Sequence, residues 1–541
     1  MRADPFTAEL KVPAARSAVA QSLSRPNSED PVVRIPVWIG VVLRIILFFF
    51  TNASSFLQLR VEVSTPVTSW KRLREGLYLY QNGIAPYEGG VFHQAPLLLA
   101  IFNFLPPILI PILFIALDYA IARGLVEIAQ YKRKLQIAEI WPAPTSDDSL
   151  IDAVPVEAPK PEIPSPENTP ADSVAWLRKP ASDDDVLQST DDIPQSVHKR
   201  KNVNFASQEE DIVPPWLAND NCRLVQGDSA HAPINAPQLK PSDPTQPVDV
   251  ILHPEDIGAM YLLNPYSIIT CLSQSTLLFT LIAIVGGIQY AIKGNRNASM
   301  LFIAVAAYLS FYPAMMMAPA ILLLSTQTSR PVMQALKSAL PLFLAFLVAL
   351  LGLSYLLVGT WDFLPSTYGV ILSVPDLTPN IGLFWYFFIE MFEQFRPFFL
   401  CVFQIMVFIF VIPIALVFRE HPLFVAYATT AIMAIFKSYP SVGDTALYLA
   451  FFTMHQELYK YMRNMFLVFN ALFFASILGP LFHYLWVYAG SGNANFYFAI
   501  TLVFGLAQII LLTDTGHALI LREWERLHPD LRRKRVELVH Q

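Results

Sequence analysis

Asn493 and Asn495 stand at the end of segment 488–496, directly after the small residues Gly490, Ser491 and Gly492. Small residues allow close backbone approach, and two amides supply the donors and acceptors that phosphate and sugar hydroxyls take up. The same residues also suit an ordinary turn between two spans. Other polar side chains interrupt apolar sequence: Asp376 and Asn380 ahead of one hydrophobic run, Glu390, Glu393 and Arg396 inside the next, and Lys437 and Asp444 around SYPSVG. Charges at membrane depth are costly and face a cavity or a partner, so each is a candidate. Glu393 and Arg396, three apart on a helix, read equally as an internal ion pair.

In FWYFFIEMFEQF, Phe388 and Phe392 share a helix face with Phe384, Met391 and Phe395, a surface that suits acyl chains as well as helix packing. The three cysteines are far apart, and Cys271 and Cys401 lie in apolar sequence, where a thiol is an inert packing residue. No CxxC, GxSxG, HExxH or phosphate-binding loop occurs. These features predict no catalytic residue, no metal and no cofactor, and the charge pattern offers no basic patch for nucleic acid.

The elements that must position these residues are membrane helices. Of 541 residues, 54% are hydrophobic and only 15% charged, against about 25% charged in a soluble domain. The apolar residues cluster in runs, many near the roughly 20 residues that cross a bilayer as helix. We read an all-α polytopic membrane protein with about 10–12 transmembrane helices, the run 382–417 being long enough for two passes. Run 32–50 reads as a retained first span, and Pro106, Pro107 and Pro111 are expected to kink or break the run 95–122.

About half of the acidic residues behind the formal charge of −6, 21 of 43, sit between 146 and 256. The chain divides into a polar N-terminal extension (1–31), two spans with a lumenal amphipathic loop (32–130), a Pro-, Ser- and Asp-rich insertion (131–250), a multi-span bundle (251–520) and a basic tail (521–541). The insertion lacks the apolar residues to offset ordering entropy and is expected to be disordered. Basic clusters at 132–134 and 532–535 put the insertion and the tail on the cytosolic side.

In the loop 51–94, residues 70–80 place Leu73, Leu77 and Tyr80 on one face, the pattern of a helix lying along a membrane surface. The stretch from Val61-Glu62-Val63 through EGLYLYQNGIAPYEGGVFHQAPLLL resembles the first lumenal loop of the GT-C membrane glycosyltransferases, which carries an acidic pair. Here Glu62 is a single carboxylate, short of the two that acid–base or metal-assisted transfer draws on. Glu62 and His93 of this loop therefore join the candidate ligand contacts. The resemblance implies a GT-C-like helical bundle and leaves a polyprenyl-phosphate-sugar mannosyltransferase as the alternative function.

Longer motifs resemble a different family. ILSVPDLTPNIGLFWYFFIEMFEQF (371–395), IFKSYPSVGDTALYLAFF (435–452) and WVYAGSGNANFYFAITL (486–502), together with TSWKRLREGL, YLLNPYSIITC and FLPSTYG, are similar to the PIG-U family of the glycosylphosphatidylinositol (GPI) transamidase. The resemblance implies a multi-pass, non-catalytic subunit in the endoplasmic reticulum membrane that helps hold the GPI lipid. Its partners would be the other subunits, among them a caspase-like chain that supplies the catalytic cysteine. It further implies that Ser491, Asn493, Asn495, Asp376, Asn380, Phe388, Phe392, Glu62 and His93 are candidates for contact with that lipid.

Overall fold

The computed structural model describes residues 36–140 and 252–528. The N-terminal extension, the insertion beyond Ile140 and most of the tail lie outside the described residues, as does Cys222. Among the described residues there is no strand.

Helix α1 (Val37–Phe50) starts after an extended Pro36, and a short α2 (Ala53–Leu57) follows. The amphipathic helix expected over 70–80 is α3 (Trp70–Gln81), with Trp70, Leu73 and Gly76 buried and Lys71, Arg74 and Glu75 exposed. The next run breaks where its prolines sit, with α4 (Pro96–Phe104) ending before Pro106 and α5 (Leu109–Ile140) beginning after Pro107. Pro111 falls in the first turn of α5, where its missing N–H costs no intrahelical bond. Helix α5 continues ten residues into the stretch assigned to the insertion.

After the insertion come α6 (Pro254–Leu263), α7 (Pro265–Leu272), α8 (Leu277–Ile292), α9 (Arg296–Ser310), α10 (Met317–Thr328) and α11 (Val332–Val358). A one-turn α12 (Val370–Ser373) leads to α13 (Phe384–Glu390), α14 (Arg396–Ile409) and α15 (Val411–Val417). The run 382–417 is thus not two passes. Met391 and Phe392 are extended, and one 25-residue helical segment starts at Glu393. Pro397 lies in the first turn of the helix that restarts, where its ring and missing N–H are accommodated at least cost.

The chain closes with α16 (Pro422–Phe436), α17 (Val442–Thr453), α18 (Met465–Val487) and α19 (Ala494–Leu527). Five described helical segments are long and apolar enough to cross a membrane alone, beginning at Leu109, Val332, Glu393, Met465 and Ala494. The apolar helices α1, α8, α16 and α17 are shorter, so the expected 10–12 spans correspond to fewer long helices plus short ones.

Residues Leu423 to Ile435 of α16 are all buried, as a helix that is apolar all round must be. The segments beginning at Val332, Glu393 and Met465 instead bury only 11%, 11% and 17% of their apolar windows within the protein. They form the periphery.

A buried cation fixes the first helix. Arg44 and Asp118 are both fully buried and 2.5 Å apart, and Tyr261 donates to the other carboxylate oxygen at 2.8 Å. The guanidinium also donates to the Leu262 carbonyl (2.6 Å) and to Ser267 Oγ (2.9 Å), joining α1, α5, α6 and α7. Gly40 lets α1 approach this closely, because a Cβ there would sit 2.6 Å from Leu262 Cβ.

Candidate functional site

The loop between α2 and α3 is laid into one end of the bundle by backbone bonds. Thr276 N–H donates to the Thr68 carbonyl (3.1 Å), Gln94 Nε2 to the Ser69 carbonyl (2.7 Å) and Val442 N–H to the Glu62 carbonyl (3.1 Å). With its backbone held, the loop presents Arg60 and Glu62 as a two-pronged pair, Nη2 to Oε1 at 2.8 Å and Nε to Oε2 at 3.2 Å. Arg60 Nη2 also lies 3.4 Å from the Pro480 carbonyl of α18. Their side chains are 12% and 10% exposed.

The pair borders a cavity of about 470 Å³ between this loop, α7, α18 and α19, within the usual range for small-molecule and lipid sites. Its lining is largely apolar, with Ile269, Ile381, Ala475, Ile500 and Phe504 among the wall residues, and Arg60 and Glu62 supply its charges. From Tyr497 to Phe504 the wall follows seven helical steps of α19, roughly 10 Å. Phe56, Leu481 and Tyr484 also line it and are largely exposed, so the cavity opens at the protein surface. Across it, Tyr266 Oη and Ser476 Oγ are 2.5 Å apart. The arrangement can take an amphiphile, since a charged pair and apolar walls line one cavity.

Of the expected site residues, only Glu62 lines this cavity. Asn493 is the N-cap of α19, its amide oxygen accepting from Phe496 N–H at 3.3 Å. Asn495 accepts from Tyr386 Oη. Ser491 is exposed in a turn where its N–H and that of Gly492 bond the Leu485 carbonyl, with Gly490 at φ +63° making the reversal. This turn is adjacent in sequence to Tyr497 of the cavity wall, with Asn493 capping α19 and Asn495 meeting Tyr386 of α13.

A second cluster gathers Asp376, Asn380 and His93. Arg72 Nη2 reaches Asp376 Oδ2 at 2.5 Å, and Thr378 donates both its N–H (2.9 Å) and its hydroxyl to the other oxygen. Burial resists ionisation of Asp376, but these bonds from Thr378 and the Arg72 charge outweigh it and hold the carboxyl below its usual range. His93 Nδ1 is 2.9 Å from the Ser366 carbonyl, and burial, helped by Arg72, lowers its pKa. Asn380 is buried, accepting from Gly382 N–H at 2.8 Å.

Phe388 is buried against Val370, Val374, Phe384 and Tyr439, under the Arg396 guanidinium, whereas Phe392 is 71% exposed. Arg396 and Glu393 make only a 4.0 Å contact with Glu393 nearly fully exposed. Lys437 and Asp444 form a sealed 2.6 Å pair within the capping box of α17. Cys271 is buried and Cys401 faces outward from α14. Among the described residues, no three His, Cys, Asp or Glu side chains converge as metal ligands would.

Arg60, Tyr497, Tyr266 and Arg72 were not expected from the sequence. The Arg60-x-Glu62 spacing held a signal, since two residues apart in an extended or turn segment can pair where a helix would separate them.

Helices without strands, long apolar segments at the periphery and a charged-ended cavity define an all-α multi-pass membrane protein with an amphiphile-sized site. Comparison with known proteins places it more narrowly. The family model "GPI transamidase subunit PIG-U" matches residues 38–504, and the chain belongs to the PIG-U family. It is 35% identical over 505 residues to the human GPI-anchor transamidase component PIGU, covering 92% of this chain and 95% of that one. The mouse protein of the same name is 35% identical over 497 residues, covering 91% and 94%. The GPI transamidase component GAB1 of Saccharomyces cerevisiae is 27% identical over 497 residues, covering 90% and 94%. The family match does not favour the mannosyltransferase alternative.

Proposed function

We propose that this chain, a subunit of the GPI transamidase, holds the GPI lipid in the endoplasmic reticulum membrane for a catalytic cysteine carried by a separate, caspase-like subunit. One observation carries the reading: the cavity joins largely apolar walls to the Arg60–Glu62 pair and opens at the protein surface beside the exposed Phe56 and Tyr484. A lipid could therefore enter sideways while its head meets polar groups.

The test fills the cavity. In cells lacking the native subunit, Ala475→Trp should leave the complex assembled and reduce surface display of GPI-anchored proteins. Normal display with the cavity occluded would overturn the assignment of the lipid to this place.

A further inference from the structure

The turn KSYPSVGD (437–444) between α16 and α17 is polar, yet residues 437–448 are all buried. Connections ordinarily run over the surface, because a buried one carries backbone groups that need partners. Here the partners come from distant parts of the chain. Ser438 donates its N–H to Tyr312 Oη (3.2 Å) and its hydroxyl to the Ile371 carbonyl (2.7 Å). Tyr439 Oη donates to the Asp376 carbonyl (3.0 Å) and Val442 N–H to the Glu62 carbonyl (3.1 Å). We propose that this turn positions the charged wall of the cavity, with Lys437 and Asp444 acting through the Val442 N–H on the loop that carries Arg60 and Glu62. The inference rests on the lipid-holding role above and adds which residues outside the cavity set its charged side.

The start of α17 shows how the bond to Glu62 arises. The first N–H groups of a helix have no intrahelical partner. Gly443 donates to Ser441 Oγ (3.3 Å) and Asp444 to the Ser441 carbonyl (3.0 Å), while Ser441 N–H donates to Asp444 Oδ2 (3.0 Å). Val442, the first helical residue, is left to donate to Glu62. Among the described residues this is the one backbone hydrogen bond that ties residues 60–64 to any part of the chain beyond α2. The place of Glu62 therefore follows that of the turn.

The buried ion pair fixes the turn itself. Lys437 Nζ meets the same Asp444 oxygen at 2.6 Å, with side chains 5% and 3% exposed, and so joins the C-cap of α16 to the third residue of α17. A sealed pair is weak evidence for stability, and its best-attested use is to set register. Packing leaves little slack: a Cβ on Gly443 would lie 2.8 Å from Thr270 and Leu277, and one on Gly382 would lie 2.5 Å from Pro440. Without Lys437, Asp444 would keep only the Ser441 N–H, and the turn would have to open to bring that charge to water.

The test follows hydrogen exchange in the assembled transamidase containing the full chain, by mass spectrometry of peptides covering 58–66 and 438–446. Lys437→Met should raise exchange in both by at least about fivefold, the fold-change one hydrogen bond is worth. Residues 125–140 of α5, which make no backbone hydrogen bond to the turn among the described residues, should be unchanged. Gly382→Ala presses on Pro440 and keeps both charges, so it should raise exchange over 58–66 by less, and it keeps the test open if Lys437→Met does not assemble. Unchanged exchange over 58–66 in the variants that assemble would overturn the proposal, as would an equal rise over 125–140, the mark of general loosening.

Surface display of GPI-anchored proteins, in cells lacking the native subunit, separates this from the lipid-holding role. Faster exchange over 58–66 with display reduced several-fold supports both. Faster exchange with normal display supports the positioning and counts against a lipid at this cavity. Reduced display with exchange over 58–66 unchanged overturns the positioning and leaves the lipid-holding role standing.

Discussion

Arg44–Asp118 and Arg60–Glu62 are both guanidinium–carboxylate pairs in an apolar bundle, yet every polar atom of the first is directed at protein while the second borders a cavity. Asp118 takes Tyr261 and Arg44; Arg44 takes two backbone carbonyls and Ser267 besides. Arg60 has Glu62 and a long contact to Pro480. A closed network of four elements is a structural clamp, whereas an open pair on a cavity wall has capacity to spare for a ligand. The difference lies in how many directions remain, and the charge types are the same.

Breaking the closed pair should have the largest effect. Asp118→Ala leaves Arg44 buried and uncompensated, a cost of about 3–5 kcal/mol, enough to remove most of a marginally stable fold. Size-exclusion of the tagged chain should show loss of the assembled complex. Replacing both charges, Arg44→Met with Asp118→Leu, should recover assembly in part, since a shape-matched apolar pair avoids the stranded charge. Wild-type assembly of Asp118→Ala would erase the contrast between the two sites.

The open pair should behave differently. Arg60→Gln keeps a hydrogen-bonding side chain beside Glu62, and the cavity gives the freed carboxylate access that Asp118 lacks. Its stability cost is expected near about 1 kcal/mol, the scale of one lost bond, with the complex assembled and GPI-protein display reduced. Assembly failing as badly as in Asp118→Ala would make Arg60–Glu62 a second clamp and remove it as a binding element.

The Asp376 and His93 cluster falls between these cases, and pH sharpens it. Burial lowers the pKa of His93, so the folded state favours the neutral ring. The unfolded state binds the extra proton, and stability from His93 is complete above its unfolded value of 6.5 and is lost as pH falls below that toward the folded value. Asp376, also lowered, contributes stability above its unfolded value of 3.8 that is lost as pH falls through the folded one. Between pH 7.5 and 5.5, the melting temperature of the purified complex should therefore drop more for wild type than for His93→Gln, by less than the Arg60→Gln effect. An equal drop would mean His93 is not held neutral by its surroundings.

The sequence made the helices legible because apolar runs and prolines act locally. The break at Pro106 and Pro107 and the amphipathic α3 follow from spacing alone. Segment 382–417 misled because length counts residues and ignores the extended break at Met391 and Phe392 ahead of Pro397. Of the site, Glu62 was visible as a lone acid, whereas its partner Arg60 stood outside the candidate residues. Tyr497 read as one more aromatic in an apolar run; only the packing of α18 on α19 turns it toward the cavity. Lys437 and Asp444 show the converse, where polar groups in apolar sequence close on each other as a helix cap.

The smallest expected effect tests whether the α18–α19 turn belongs with the cavity or with the clamps. Asn493 accepts one 3.3 Å bond at an exposed N-cap, so Asn493→Ala should cost about 0.5 kcal/mol, the low end for a lost cap. Asn493→Asp should cost nothing, because a carboxylate accepts the same bond and favours a helix N-terminus. GPI-protein display in cells lacking the native subunit separates the two roles. If the amide of Asn493 donates to a ligand, Asp fails as badly as Ala, since it has no N–H to give. Display preserved by Asp and only slightly reduced by Ala assigns the turn to helix capping and leaves ligand recognition to Arg60 and Glu62.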